Sequence, residues 1–155
     1  MKLLPKWGYS TTRNLNERGK ASSRELRISP KAAREICNSI RYMKIDEARR
    51  FLREVIDMKK AVPYRRHKKT VPHKASVDSW YAGRYPVKAA KEILKIVNSL
   101  EVNCEEQGFD VERLKIVHAA AQRARVLKRY IPRAFGRSSP NYERLCHVEL
   151  MAEEV

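Results

Sequence analysis

The sequence predicts an α+β domain in which three helices pack on a small three-stranded antiparallel sheet, with a long extended β-hairpin and a basic middle loop. Three observations lead there. Three segments before Gly108 repeat their apolar residues at the helical period, and after Gly108 the period becomes that of strands. Two of the strand-like segments are separated by about twenty residues, whereas a hairpin loop ordinarily takes about two to five. The 155 residues are 43% hydrophobic, enough for one modest core and too many for wholesale disorder. A single domain over residues 1–155 is expected.

The opening residues lack periodicity and read as an N-terminal arm, residues 1–21. Residues 23–28 (SRELRI) alternate, with Leu26 and Ile28 on one face, and predict a half-buried strand. Ser29-Pro30 predicts a helix start, because Ser can accept from an orphan N–H and Pro at the first position wastes no donor. Ala33, Ile36, Cys37 and Ile40 make its apolar face. A second helix is predicted over residues 46–59, with Asp46 and Glu47 at the positive end of its dipole and Ala48, Phe51, Leu52 and Val55 on one face. The third opens at Pro86 and stops at Gly108, burying Ala90, Ile93, Leu94, Val97, Leu100 and Cys104. Residues 113–121 (RLKIVHAAA) and 143–151 (ERLCHVELM) then predict strands that pair antiparallel, with residues 23–28 beside them.

Charge is unevenly distributed. The formal net charge is +16 with a pI of about 10.1. Residues 1–27 hold seven basic and two acidic side chains, residues 59–86 eight and one, and residues 113–137 eight and none. The third helix and the tail run the other way, with three basic and six acidic over residues 87–112 and one and four over residues 138–155. A chain with this excess repels itself unless it meets a polyanion, and nucleic acid is the commonest.

Two segments carry the charge. The middle loop, residues 60–85, holds Arg65, Arg66, His67, Lys68, Lys69, His73, Lys74 and Arg84, interleaved with Tyr64, Trp80, Tyr81 and Tyr85. Basic residues mixed with aromatics fit nucleic acid better than charge alone does. The hairpin arm, residues 123–142, holds Arg123, Arg125, Lys128, Arg129, Arg133 and Arg137, with no Asp or Glu between the first and last of these. Its guanidinium groups can fork onto phosphates, and extended limbs of this length reach on the order of 30 Å. Pro132, Gly136 and Pro140 let the ribbon bend without a regular ladder.

Other classes fit less well. Cys37, Cys104 and Cys146 are odd in number and far apart, against a disulfide framework or a zinc site. His67 and His73 have no cysteine or acidic cluster nearby, so hydrogen bonds to phosphate or 2′-hydroxyl are expected of them, and no metal or cofactor. No P-loop, G-x-S-x-G or H-E-x-x-H pattern points to an enzyme. No apolar run has the length of a membrane span and the N-terminus does not resemble a signal peptide, so a cytoplasmic protein without membrane insertion is expected. A free DNA-binding regulator is the alternative, since residues 29–59 hold two short helices. The second of these mixes Asp46, Glu47, Glu54 and Asp57 with Arg49, Arg50 and Arg53, whereas the basic mass lies in loops, which suits folded RNA.

The stretch LKRYIPRAFGR, residues 127–137, resembles the hairpin-tip motif of the universal large-subunit ribosomal protein twenty-two family, roughly L-K-R-x-x-P-R-A-x-G-R. The match covers Leu127, Lys128, Arg129, Pro132, Arg133, Ala134, Gly136 and Arg137. HVEL at residues 147–150 resembles the family's return strand. VPYRRH at 62–67 and AGRYPVKAAKEIL at 82–94 resemble the archaeal and eukaryotic branch, on its archaeal side. The resemblance implies a structural, ribosomal-RNA-binding protein of the large subunit, with its globular part near the polypeptide exit. It implies that the hairpin reaches inward through RNA and that its tip, Arg129, Tyr130, Ile131, Pro132, Arg133 and Ala134, faces the nascent chain in the exit tunnel. Neighbouring ribosomal proteins and factors docking at the exit are the other implied partners.

Overall fold

The structure, a computed structural model, describes residues 8–11, 18–77 and 80–154. In chain order its elements are β1 (Gly19–Leu26), α1 (Pro30–Ile40), α2 (Ile45–Ile56), β2 (Val62–Pro63), β3 (Gly83–Arg84), α3 (Val87–Glu106), β4 (Leu114–Leu127), β5 (Tyr130–Pro132), β6 (Ser138–Pro140) and β7 (Glu143–Glu154). The fold is α+β, with three helices on one face of a three-stranded antiparallel sheet ordered β1-β7-β4. Leu150 of β7 lies opposite Ala21 on one side and Ala119 on the other. All three are buried, and the two alanines leave room for the helices to close over the leucine. Ile36 and Ile40 of α1, Leu52 of α2, and Ile93 and Leu100 of α3 meet Ile116 and Leu150 in one core. Each such side chain contributes about 1.5–3 kcal/mol by leaving water, before chain entropy is set against it.

The first strand is displaced from the expected residues 23–28. Gly19 and Ala21 are its buried positions, and small residues carry no strand signal. They are small because α3 lies directly on them, so that a Cβ at Gly19 would collide with Sγ of Cys104. Glu25 has φ 54° at a register shift between Ser23 and Leu26, so the alternation read there crosses a bulge. Ile28 is buried, but beyond the strand's end. Residues 19–21, read from the sequence as the end of an arm, are the start of β1; residues 1–7 and 12–17 of that arm lie outside the described residues.

The helices follow their apolar stripes. Pro30 opens α1, and the Ser29 carbonyl accepts from Ala33 N–H at 2.9 Å, although the Ser29 hydroxyl makes no capping bond. α2 ends at Ile56, three residues before the expected Lys59. Lys59 N–H donates to the Glu54 carbonyl at 2.9 Å and Met58 N–H to that of Val55 at 3.2 Å, a Schellman closure with Met58 at φ 58°. α3 closes in the same way at Gly108, φ 81°, with Phe109 N–H donating to the Cys104 carbonyl at 3.1 Å. Its acidic side is not wholly solvated, because Glu101 turns inward to pair with Arg49 of α2.

β4 and β7 outrun the sheet as a two-stranded ribbon, paired as far as Leu127 opposite Glu143. The hairpin arm is more regular than its prolines suggest. Asn141 N–H donates to the Arg129 carbonyl at 2.6 Å, β5 pairs with β6 from Tyr130 opposite Pro140 to Pro132 opposite Ser138, and Arg133 N–H reaches the Arg137 carbonyl at 2.7 Å. The prolines fit because each strand of an isolated ribbon has an outer edge that needs no ladder donor.

Candidate nucleic-acid interface

The middle loop is fastened to α1 by one buried carboxylate. Glu35 is fully buried, and its oxygens accept the backbone N–H groups of Arg65, Arg66 and His67, each at 3.1 Å. The Arg34 guanidinium lies 3.5 Å from the same carboxylate. Three successive amides on one anion compensate its removal from water and fix the backbone at the most basic point of the loop. Glu35 is visible in the sequence only as a glutamate on the buried arc of α1, three residues from Ala32 and one from Ile36.

The rest of the loop forms a small folded unit. Val62 pairs with Arg84, Pro63 with Gly83, and His73 with Ala82. Trp80 Nε1 donates to the Tyr64 carbonyl at 2.9 Å, and its ring stacks on Tyr81 at 4.8 Å. The Arg65 guanidinium stands 5.4 Å above the Trp80 ring centre, and Lys68 Nζ 5.6 Å from it and 5.9 Å from that of Tyr81. His73 meets Tyr81 edge-on, and Lys74 lies 5.6 Å from the Tyr85 ring. Arg84 Nη2 donates to the Thr70 carbonyl at 3.2 Å. Burial pushes the Tyr64 hydroxyl up to about 12, keeping it protonated. These contacts hold the cations at fixed places and leave their charge outward.

His67 and Arg66 open onto a cleft beside the first turn of α1, shared with Lys31, Arg34 and Arg123. Partial burial lowers the His67 imidazole from its ordinary 6.5; Glu35 opposes that shift, and Lys31, Arg34 and Arg66 add to it. Arg144 of β7 joins Lys31 and Arg123 in the adjoining cleft. Lys31, Arg34 and Arg144 lie outside both basic segments, on α1 and β7, so the sequence alone does not group them with the loop or the arm.

Along the ribbon, Arg125 pairs with Glu25 at 2.8 Å, Arg129 approaches Glu143 at 4.0 Å, and Arg133 Nε donates to Ser139 Oγ at 3.1 Å. Lys128 and Arg137 are exposed. Tyr130 and Tyr142 share a hydroxyl hydrogen bond of 3.0 Å across the limbs. Arg129 to Pro132 therefore climb one limb, and the distal turn runs from Arg133 through Ala134 and Gly136 to Arg137. Phe135 projects from that turn, 97% exposed, on a backbone of φ 56°. Two cations of the N-terminal region are already neutralised: Arg18 pairs with Glu153 at 2.7 Å and Arg27 with Glu143 at 3.8 Å.

A second polar cluster lies on the sheet away from this interface. Glu149 accepts from Ser10 N–H at 3.1 Å and from Gln122 Nε2 at 3.1 Å. His118 Nε2 lies 3.2 Å from both Ser10 Oγ and Glu149 Oε1. Hydroxyl and carboxylate thus meet the same ring nitrogen, whereas a nucleophile relay needs one on each. The three cysteines are buried free thiols, with Cys37 pushed up to about 12 by burial and by Cys146 beside it. Among the described residues no group of His, Cys, Asp and Glu is arranged to hold a metal, and no helix is long and apolar enough to cross a membrane.

The sequence model of the family described as ribosomal protein L22p/L17e matches residues 21–153. The chain is 55% identical over 134 residues to the large ribosomal subunit protein uL22 of Archaeoglobus fulgidus, covering 86% of each protein. It is 45% identical over 158 aligned positions to the protein of that name from Ignicoccus hospitalis, covering 98% of this chain and 99% of the relative. The uL22 of Methanocaldococcus jannaschii is 44% identical over 154 positions, with 99% of each covered.

Proposed function

The chain belongs to the ribosomal protein L22p/L17e family, of the archaeal type, and we propose that this structural protein of the large ribosomal subunit binds the subunit's RNA through its middle loop and its hairpin. It is a constituent of the particle and not an enzyme. The proposed arrangement puts the globular part near the polypeptide exit, in contact with neighbouring ribosomal proteins and open to factors that dock there. The hairpin runs inward through RNA, supporting assembly, and its tip lines the tunnel facing the nascent chain.

One observation carries the RNA-binding part. None of Arg65, Arg66, Lys68, Lys69, Lys74 and Arg84 forms an ion pair among the described residues, although all six lie in one small folded loop. Cations gathered in one loop with no carboxylate paired to their side chains repel one another until a polyanion arrives. The exposed Tyr81 ring among them suits an RNA whose bases are splayed out. The location of the tip in the tunnel rests on the family and on the reach of the ribbon.

Sedimentation of the tagged protein through a sucrose gradient in high salt tests this reading. Co-migration with large subunits is expected. Recovery at the top of the gradient, together with selection of one duplex DNA sequence, would identify a free regulator instead.

A further inference from the structure

We propose that the middle loop and the root of the hairpin grip one continuous strand of ribosomal RNA in a single groove centred on Lys31, so that two basic segments far apart in sequence form one phosphate-binding site. This deepens the RNA-binding reading above and rests on it.

Four cavities adjoin at the start of α1, and Lys31 lines every one of them. The largest, about 590 Å³, lies toward the middle loop and is walled by Arg66, Lys69 and Arg84. The next, about 200 Å³, joins Arg66 and His67 to Arg34 and to Arg123 of β4. Two more, about 380 and 340 Å³, continue along the ribbon between Arg123 and Arg144. Lys31 belongs to neither basic segment. It is the residue through which they become one surface.

The ribbon's register explains how the groove reaches the hairpin. Cys146 and Val148 of β7 face the helices and are buried. Arg123 lies opposite Cys146, and Arg144 is two residues before it, so both stand on that same face. Beyond the first turn of α1 this face opens onto the cavities lined by Arg123 and Arg144, and there it changes from apolar to basic. Among the described residues the carboxylate beneath the groove is that of Glu35, which is buried and occupied by three amides and Arg34. Lys31, Arg66, Arg84, Arg123 and Arg144 therefore face the groove with no ion pair among the described residues. An elongated site with cations at intervals and Tyr142 and Tyr85 at its sides fits a sugar-phosphate strand better than a point anion.

The test uses the full chain and purified large-subunit ribosomal RNA from its own source. A photoreactive benzoylphenylalanine is placed in turn at positions 31, 66 and 123, and the cross-linked nucleotides are mapped by primer extension. All three positions are expected to reach one contiguous run of nucleotides. Lys31→Ala, Arg66→Ala and Arg123→Ala are each expected to lower the slope of log affinity against log salt by roughly one unit. Lys95→Ala, on the outer face of α3 where Lys95 pairs with Glu92, is expected to leave it unchanged. Cross-links from 66 and 123 to separate RNA segments overturn the single groove and leave the RNA-binding reading standing. Cross-links from 31 to an acidic protein segment in assembled subunits also overturn it. Failure of the unaltered chain to bind the RNA overturns both.

Discussion

The buried carboxylate of Glu35 accepts the backbone N–H of Arg66 at 3.1 Å, across 31 residues of sequence. A helix in the core thereby sets the conformation of a loop whose Arg65, Arg66, Lys68 and Lys69 side chains are exposed. The same carboxylate takes the amides on either side, so removing it strands three donors at once. Glu35→Ala is expected to lower stability by about 2–4 kcal/mol, the range for losing a buried, charge-assisted hydrogen-bond acceptor. Glu35→Gln keeps the shape, turns one acceptor into a donor facing donors, and is expected to fall between. Denaturant unfolding measures the loss. Hydrogen exchange should quicken first at Arg65, Arg66 and His67, and exchange there as slow as in the unaltered chain would contradict this role.

Neutralising Arg65, Arg66, Lys68 and Lys69 together should leave the fold intact, since all four side chains are outside the core. RNA affinity should fall, and the salt slope should flatten by roughly one unit for each lost phosphate contact. An unchanged slope would mean that these side chains face solvent in the complex.

On the proposed RNA-binding role, His67 is expected to link binding to pH. Its imidazole lies below the ordinary 6.5 in the free chain, chiefly through burial. A lowered folded value means that protonation works against the folded loop. Its contribution to stability is full above pH 6.5 and is lost as the pH falls through the lowered value. Phosphates bound beside Lys31, Arg34 and Arg66 act oppositely and should raise the imidazole. RNA affinity should therefore strengthen on acidification, and NMR titration should find His67 higher in the complex than in the free chain.

The core draws on no residue between Ala121 and Leu145. Deleting Arg129–Ala134 removes β5 and half of the distal turn but leaves Leu127 paired with Glu143. The melting temperature should change little and subunits should assemble. On the proposed tunnel location, passage of arrest-prone nascent chains and protection by tunnel-blocking antibiotics should change, as read by ribosome profiling and drug footprinting. Unaltered stalling and drug response would place the tip away from the tunnel wall.

Met58 ends α2 in the left-handed region with an exposed side chain. A non-glycine residue there costs about 1–2 kcal/mol, and glycine returns part of that gain as extra unfolded-state entropy. Met58→Gly should therefore stabilise the domain by about 0.5–1 kcal/mol, seen as a raised midpoint in urea. Gly108→Ala, at the matching position of α3, should lower it.

Those two helix ends mark the limit of what the sequence by itself determined. Gly108 announces a left-handed cap because glycine favours one, so the end of α3 was legible. Met58 carries no such preference, and only packing and the bonds to Glu54 and Val55 stop α2 at Ile56. Apolar periodicity located all three helices, because burial selects side chains at the spacing of the buried face. It misplaced β1, where the close approach of α3 demands Gly19 and Ala21 and so erases the alternation. The two basic segments were likewise legible, because net charge is a sum over residues and needs no coordinates. Their meeting at Lys31, and the hold of Glu35 on the loop, were decided only by the tertiary structure, because both join residues that are near in space and remote in the chain.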